Sequence, residues 1–519
     1  MTPSTGSSTT LKLSNRSVLG IATLIAVLTV LSKGIGFFRE VVIANYFGAG
    51  VPKDAYAIAY ILPAMALILL GGLNGPFHTS TLSAITRLQA EDKAEEIPRV
   101  ANTILLWTGF FMGILTILVA WGAPSVLSVL APAAKPAVRA LAICQLQIMS
   151  PLLFLGGLIG CLCGLNNSRQ EFALPSLSPI VASLAVMVTV FFWPDPLALA
   201  WGTLIGAVGQ FVLQLIPSLP SLHRAPLVPL NHPAVREMGI LLLPAMLSSS
   251  IGTINAAIGL GFAAMLPIGG ISAFDYANKL IQLPLGVLLT ALLIPIFPLL
   301  TGAVVRNDWK TLHLWLNRGI QTIAIATFPM TALTVVLGVP LVRVLFERGQ
   351  FDAQATRITF LVLVYAALGI APYAARDLLT RVFYAMNDSR RPLLIALLSI
   401  ATNFLFNWLF VIPLGVIGLS ISTTLVTLVN LALMAFWLRR RLGTLGLGPS
   451  VSTVLKSFLA SLFAGLLIWQ LDRIAHFPPT FVAGITELAS LGTLFLLCYA
   501  AILWLWKVPI LQQLRPAKA

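Results

Sequence analysis

The segment ANTILLWTGFFMGILTILVAWGAP, residues 101–124, holds no charged side chain and is long enough to cross a bilayer as an α-helix. Comparable apolar runs recur along the whole chain, which is 58% hydrophobic and 9% charged. A soluble protein of this size carries about a quarter charged residues. These apolar runs are continuous. In the strands of a membrane β-barrel, by contrast, apolar residues alternate with polar ones. The sequence therefore predicts an all-α polytopic membrane protein.

Hydropathy along the chain predicts fourteen transmembrane helices. They are expected at residues 17–38, 55–77, 101–124, 140–164, 172–193, 196–217, 238–264, 271–302, 319–339, 355–380, 392–413, 415–438, 453–471 and 483–506. The loops carry 22 lysines and arginines on one side and seven on the other, with Lys53 among the seven. Because basic loops stay in the cytoplasm, both termini are expected there. The net charge of +15 lies mostly in these loops and suits anionic lipid headgroups, so no nucleic-acid partner is expected.

Two pairs of similar segments indicate an internal repeat. DAYAIAYILP at 54–63 matches DYANKLIQLP at 275–284, and NNSR at 166–169 matches NDSR at 387–390, both with an offset of 221 residues. A duplicated six-helix unit keeps both copies in the same orientation and places a site between them. This pattern predicts a first lobe in residues 1–220 and a second in 221–441. Two further helices follow in 442–519, outside the repeat.

Residues that enzymes need for chemistry are scattered or missing. The chain has no GxxxxGK[ST] loop for phosphate binding, and its five histidines show no metal-ligand spacing. Most acidic residues lie in loops, so no cluster of buried carboxylates is expected for acid–base catalysis. The four cysteines lie within apolar runs, where packing is the expected role. These features predict no metal, no organic cofactor and no enzymatic activity, and they favour transport.

Three cations lie within predicted spans or at their ends, namely Lys33, Arg39 and Lys279. A cation at the centre of a bilayer costs about 2.5–3.5 kcal/mol on the insertion scale, so such residues usually face an interior path. The alternative is that they snorkel to the outer headgroups, which is most plausible for Arg39. Gly34 and Gly36 lie between two of them and allow the helix to bend, so that both face one cavity. We expect the three cations to line a single central cavity.

Three stretches of the chain resemble one known family. They are SKGIGFFREVVIANYFGAGVPKDAYAIAYILP at 32–63, VRVLFERGQFD at 342–352 and RDLLTRVFYAMNDSRRP at 376–392. They are similar to the MurJ (MviN) lipid II flippases of the multidrug/oligosaccharidyl-lipid/polysaccharide exporter superfamily. The resemblance implies fourteen helices in two six-helix lobes, with a lipid-accessible groove at the two C-terminal helices. It also implies an alternating-access cavity whose cations hold the diphosphate of the substrate.

The resemblance further implies roles for individual residues. Arg39 matches the family's essential first-helix arginine, and Asp54 matches the acidic residue at the start of its second helix. Lys33 and Lys279 occupy positions where well-studied members have arginine, so they keep the charge but lose the bidentate grip on phosphate. A further cavity arginine of the family's second helix has no counterpart here. Lys33, Arg39, Lys279 and Asp54 are therefore the expected substrate-binding residues.

Some members of the family bind sodium through carboxylates and amides of the second lobe. The matching positions here are Asn255, Asn403 and Asn407. Neutral amides compensate a buried cation less well than carboxylates do. The other interpretation is that the three asparagines form hydrogen bonds between helices. We expect weak or absent sodium dependence, with the membrane potential as the driving force.

The resemblance implies a flippase of the bacterial inner membrane. Its substrate would be lipid II or a related polyprenyl-diphosphate lipid, moved to the outer leaflet by a monomer. The alternatives are a flippase for another polyprenyl-linked oligosaccharide, a multidrug exporter of the same superfamily, or a membrane scaffold for cell-wall enzymes. A drug exporter should lack clustered cavity cations because its typical substrates are cationic. A scaffold gains nothing from buried charge.

Overall fold

The computed structural model describes residues 15–70, 72, 75–223, 225–475, 478 and 480–508, and within these ranges it contains helices and no β-strand. The helices are α1 (Asn15–Phe47), α2 (Val51–Ala59), α3 (Ile61–Ala64), α4 (Pro76–Ala90), α5 (Ile97–Trp121), α6 (Ala123–Leu130), α7 (Pro136–Met149), α8 (Pro151–Ser168), α9 (Ala173–Phe192), α10 (Ala198–Leu215), α11 (Leu219–Leu222), α12 (Pro233–Ala263), α13 (Gly270–Val305), α14 (Trp309–Val336), α15 (Gly338–Phe346), α16 (Ala353–Ala367), α17 (Ile370–Ala385), α18 (Arg390–Leu414), α19 (Val416–Leu442), α20 (Gly448–Ala475) and α21 (Phe481–Leu505). The predicted all-α class is confirmed.

The helices have the length and surface of membrane spans. In the described part of the chain, ten helical stretches are long and apolar enough to cross a bilayer, and α16 with α17 forms an eleventh, bent by 43°. The other three predicted spans correspond to α1, α13 and the interrupted stretch from α2 to α4. The predicted count of fourteen is consistent with this arrangement. Large side chains such as Ile117, Phe192 and Leu394 are more than half exposed, as lipid-facing residues are.

The second predicted span is discontinuous in the structure. α2 and α3 are separated at Tyr60 and are followed by a π-helical turn, Met65–Leu70, and the next described helix is α4. Pro63 lies in α3 and Pro76 opens α4, and proline removes a backbone donor from a helix interior. Irregular backbone at membrane depth is tolerated where protein covers it. The π-helical turn packs against α8 and α12, which supplies that cover.

The helices pack mainly within the two predicted lobes. α9 packs on α10 and α1, and α8 on α4 and α5, in the first lobe; α18 packs on α19, and α13 on α14 and α16, in the second. α12 is shared, since it packs against α18 and also against α4. α20 packs on α14 and α21, and α21 also contacts α15. The predicted boundaries after residues 220 and 441 remain predictions.

Besides the packing of α12 on α4, the lobes meet at a second place that we call the interlobe junction, formed by residues 45–56, 269–276 and 349–351. Here the turn between α1 and α2 approaches the backbone after α15. Gly48 and Gly349 have φ angles of 56° and 57°, which favour glycine. A Cβ on Gly48 would overlap the carbonyl of Gln350, whose own N–H donates to the carbonyl of Asn45 at 2.9 Å. At this point of the junction, the backbone of the first lobe is in direct contact with the backbone of the second.

Candidate functional site

A cavity of about 600 Å³ lies between the lobes and is lined by residues of α1, α2, α3, α12, α13, α17, α18 and α19. Two of the predicted cations, Arg39 and Lys279, line it. Its walls also carry four ionisable residues for which the sequence had suggested no such place: Glu40, Lys53, Asp275 and Arg376. The lining thus holds four cations and two carboxylates among its lysine, arginine and acidic side chains. The cavity has an excess of two positive charges.

Four of these side chains form one chain of ion pairs. Arg39 Nη2 lies 2.7 Å from Glu40 Oε1, and Glu40 Oε2 lies 2.9 Å from Lys53 Nζ. Lys53 Nζ lies 2.8 Å from Asp275 Oδ2 on the other lobe. Lys53 and Glu40 are 2% exposed. Charges buried to this degree remain ionised only when each is paired and hydrogen-bonded, as here.

Arg39 and Arg376 bring two guanidinium groups to the lining of the cavity. Nε of Arg39 is buried and has no hydrogen-bond partner among the described residues. The guanidinium of Arg376 lies 4.3 Å from the ring centroid of Tyr373, which orients it by a cation–π contact. Lys279 lies one turn after Asp275 on α13, close enough to Glu40 for a Coulomb interaction. The arrangement suits a small anion with several acceptor oxygens.

Lys33 lies in a neighbouring cavity. This second space, of about 490 Å³, is lined by Lys33 and shares Phe274, Asn278, Gln282, Tyr373, Thr423 and Thr427 with the first. A Cβ built on Gly286 of α13 would lie 2.6 Å from Lys33 Nζ, so the ammonium lies directly against that helix. The structure therefore brings Arg39 and Lys279 to one cavity and places Lys33 beside it. The role of each as a substrate ligand remains a prediction.

Asp54 does not line the cavity. Its carboxylate is 1% exposed and accepts hydrogen bonds from Gly269 N–H at 2.7 Å, from Ser272 N–H at 2.8 Å and from the Ser272 hydroxyl. These donors belong to the N-cap residue and the first turn of α13, where a carboxylate pairs with free N–H groups and interacts favourably with the helix dipole. The structure thus shows Asp54 as a cap between the lobes, and its role in substrate binding remains a prediction.

The three asparagines predicted as a candidate ion site form a hydrogen-bonded ladder between α12 and α18. Asn255 Nδ2 donates to Ser399 Oγ at 3.1 Å, Asn403 Nδ2 to Asn255 Oδ1 at 3.2 Å, and Asn407 Nδ2 to Asn403 Oδ1 at 2.6 Å. Asn407 Oδ1 is left without a partner among the described residues. Across those same residues, no group of three or more His, Cys, Asp or Glu side chains is placed to hold a metal ion. Whether the ladder binds sodium remains a prediction.

The residues that sequence reasoning missed lie at element ends. Lys53 was placed in an outer loop, but only residues 48–50 separate α1 from α2, so this lysine is buried against Glu40. Arg376 opens the motif at 376–392, whose resemblance to the family does not single out its charge. Asp275 was noted only as the repeat partner of Asp54. The repeat alignment was the signal available for Asp275, because it pairs two acidic residues at the same helix position.

The helical fold and the cavity between two lobes define a class: a polytopic membrane transporter with a cationic central site. Residues 43–487 match the family model described as lipid II flippase MurJ. A probable lipid II flippase MurJ from Synechocystis is 35% identical over 516 residues, which cover 96% of each chain. A lipid II flippase MurJ from Burkholderia cenocepacia is 27% identical over 508 residues, covering 92% of this chain and 95% of that one. The chain belongs to the MurJ family of lipid II flippases and is a transporter, not an enzyme.

Solved structures agree on the fold. A lipid II flippase MurJ in an inward closed conformation superposes with a TM-score of 0.78 at 20% identity, covering 93% of this chain and 98% of that chain. An inward-facing multidrug transporter of the MATE family gives a TM-score of 0.66 at 15% identity, covering 82% and 98%. At these identities the likeness concerns architecture alone.

Proposed function

We propose that this protein moves lipid II, the undecaprenyl-diphosphate-linked peptidoglycan precursor, from the inner to the outer leaflet of the bacterial inner membrane. Family membership supports the substrate. The single observation that carries the mechanism is the excess of two positive charges in the interlobe cavity. A diphosphate diester carries two negative charges, so the cavity and the ligand are complementary. The same balance would repel the cationic substrates typical of a drug exporter.

Arg39 is the principal ligand in this proposal. Its planar guanidinium reaches two phosphate oxygens at once, and its buried Nε is a donor without a partner among the described residues. Lys279 and Arg376 supply further charge-assisted hydrogen bonds from α13 and α17 of the second lobe. Lys33, in the adjoining cavity, adds a longer-range attraction. Because these ligands belong to both lobes, the bound anion contacts both lobes while the cavity changes the side of the membrane to which it opens.

The polyprenyl chain needs an apolar path, and the structure offers one between α14 and α20. This groove, of about 390 Å³, is lined by Phe328, Val335, Val336, Phe458, Leu462 and Trp469 among others. A second apolar space of about 430 Å³ shares Phe328, Thr331 and Phe458 with it and extends toward α17. Burial of hydrocarbon there would stabilise the lipid by about 25 cal/mol per Å² of covered apolar surface.

Transport in this proposal is driven by the membrane potential, with weak or no sodium coupling. Asn255, Asn403 and Asn407 offer neutral amide oxygens, and two of these oxygens already accept hydrogen bonds within the ladder. Hard cations at membrane depth favour carboxylate oxygens that offset their charge. Two negative charges carried toward the outer side move with the field when the inside is negative, by about 2.3 kcal/mol per charge per 100 mV.

The protein is further proposed to act as a monomer with both termini in the cytoplasm. The 22-to-seven asymmetry of basic residues in the loops supports this orientation. Accessibility tags at Asp92, Leu230, Asp308 and Thr444 should be cytoplasmic. Tags at Lys135, Ile268, Gln350 and His476, the last of which lies outside the described residues, should be on the outer side. One clearly inverted pair of adjacent loops would overturn the orientation.

Growth of a bacterial host depleted of its own lipid II flippase tests the function. The wild-type chain should restore growth and the appearance of lipid II in the outer leaflet. Membrane localisation of an epitope-tagged chain controls for expression. Failure to restore growth, combined with transport of a different polyprenyl-diphosphate oligosaccharide, would favour the alternative flippase.

A further inference from the structure

Lys53 lies where the interlobe junction meets the cavity. Its Nζ is 2.9 Å from Glu40 Oε2 of α1 and 2.8 Å from Asp275 Oδ2 of α13. One ammonium group is thus shared between a carboxylate of the first lobe and a carboxylate of the second. The side chain is 2% exposed, so the group depends on protein partners and not on water.

Two aromatic rings complete the surroundings of the ammonium. Lys53 Nζ lies 5.6 Å from the ring centroid of Tyr56 and 5.1 Å from that of Tyr276. Tyr276, from the second lobe, also donates its hydroxyl proton to the carbonyl oxygen of Gly48 at 3.1 Å. Separation of the lobes at this end would remove Asp275 and the Tyr276 ring from Lys53 together. Loss of two partners from a buried ammonium is costly, so Lys53 favours the closed junction.

The same ammonium is connected to the cavity through Glu40. One carboxylate oxygen of Glu40 pairs with Lys53 and the other accepts from Arg39 Nη2 at 2.7 Å. Arg39, Glu40, Lys53 and Asp275 therefore form a continuous chain from the proposed anion ligand to the second lobe. If Arg39 binds a different partner, its pairing with Glu40 weakens. The Lys53 ammonium then pairs more strongly with Glu40 and less strongly with Asp275.

We propose that Lys53 is a positioning residue that locks the lobes at the interlobe junction until an anion binds at Arg39. This inference rests on the proposed function, because the anion is the diphosphate of the transported lipid. The bound diphosphate competes with Glu40 for the Arg39 guanidinium. Glu40 then has Lys53 as its remaining paired cation and draws the ammonium toward the first lobe. Asp275 loses its partner, and the junction opens only when the cavity is loaded.

The lock makes the ligand and the junction thermodynamically linked. Ligand binding that favours the open junction requires that an open junction favour ligand binding by the same factor. Without the lock, the junction would open whether or not lipid is bound, and the cavity would cycle empty. The lock is therefore a device for coupling, and its removal should affect coupling more than binding.

Hydrogen–deuterium exchange of the full chain in nanodiscs tests this directly, with lipid II as the probe. The amides of residues 269–276 and 349–351 report opening of the junction. In the wild type, lipid II should raise their exchange rate by about tenfold. Lys53→Met should raise it to a similar level without lipid II and remove most of the further response. Asp275→Asn, a milder change that leaves the Glu40–Lys53 pair in place, should act in the same direction.

Lys456→Met is the matched control. Lys456 Nζ donates to the carbonyl of Trp506 at 2.8 Å, so this variant removes a half-buried ammonium between α20 and α21 and not between the lobes. It should leave junction exchange as in the wild type. Unlike Lys53→Met, Lys53→Arg keeps the positive charge and should keep part of the response to lipid II. If Lys53 served packing alone, the larger arginine side chain would not be expected to keep this response.

The outcomes separate this inference from the proposed function. If Lys53→Met and Asp275→Asn both keep low exchange that rises with lipid II as in the wild type, the lock is refuted while the function stands. If lipid II does not bind the wild type, the proposed function fails, and the baseline exchange of Lys53→Met still decides whether the lock exists. Raised exchange along the whole chain of Lys53→Met, and normal exchange in Asp275→Asn, would mean that Lys53 serves folding alone, which also refutes the proposal.

Discussion

Two polar clusters reach the interlobe cavity, and they differ in how many of their hydrogen-bonding groups are paired with each other. The asparagine ladder of Asn255, Asn403 and Asn407 is neutral, and each amide donates to the next group along it. The cavity cluster is ionic and carries more cations than carboxylates. An amide is both donor and acceptor, so a row of amides can pair internally, whereas guanidinium and ammonium groups have donors only.

The difference separates groups that hold helices together from groups that bind a ligand. The internal hydrogen bonds of the ladder stabilise the contact between α12 and α18, although Asn407 Oδ1 has no partner among the described residues. Unbalanced cations in a membrane protein are expensive to keep, at about 2.5–3.5 kcal/mol each when fully embedded. The excess of two charges in the cavity therefore indicates a ligand that completes it.

The largest effect should come from removing the cavity's bidentate ligand. Arg39→Ala should reduce flipping of lipid II by at least about 100-fold, because two charge-assisted hydrogen bonds are lost. Arg39→Lys should keep part of the activity, since it retains the charge and loses the fork. The rate is measured with fluorescent lipid II in proteoliposomes. Arg381→Ala, which breaks only the Arg381–Asp377 pair within α17, is the control and should transport normally.

Removal of the second cavity cation should have a smaller effect. Lys279→Ala should slow flipping by about tenfold, as expected for one charge-assisted bond, and Lys279→Arg should be tolerated or faster. The same proteoliposome assay measures both variants. Equal rates for Lys279→Ala and the wild type would remove this lysine from the site.

The fold and part of this comparison could be predicted from the sequence. Continuous apolar runs predicted the helices, and the energetic cost of buried charge singled out Arg39 and Lys279, which do line one cavity. These signals are local, since each depends on a residue and its immediate neighbours. The broken second span was missed because its apolar composition masks the effect of Pro63 and Pro76.

The contacts between lobes could not be predicted in the same way. Asp54 bonds Gly269 and Ser272, which lie more than 200 positions away in the chain, and no local pattern shows such a partner. Lys53 illustrates the same difficulty, because a lysine between two helices looks like an ordinary loop charge until Asp275 is placed beside it. Long-range pairing, and not composition, decides whether such a residue is solvated or buried.

A variant of Lys33 tests whether the substrate site extends from the interlobe cavity into the adjoining one. Because this lysine lines the adjoining cavity, Lys33→Ala should slow flipping by only about two- to fivefold, through a longer-range Coulomb term. Lys33→Arg should be tolerated. Initial rates at low and high ionic strength give the measurement, and the difference between Lys33→Ala and the wild type should shrink at high salt. A loss as large as that of Arg39→Ala would place Lys33 in direct contact with the substrate.

The smallest effect is expected at the asparagine ladder. Replacement of sodium by choline at constant membrane potential should leave the flipping rate unchanged, since the ladder offers only neutral oxygens. Collapse of the potential in the same vesicles should slow transport. Flipping that stops in choline would contradict the distinction between the two clusters and give the ladder a ligand of its own.

The most direct measurement of the central claim compares binding of undecaprenyl diphosphate with binding of undecaprenol, which has the same chain and no charge. The purified wild type should prefer the diphosphate by about 100-fold or more, and the preference should weaken as salt rises. The double variant Arg39→Ala/Lys279→Ala should bind the two lipids with similar affinity. If the double variant keeps the full preference for the diphosphate, the cavity cations do not hold it, and the account is wrong.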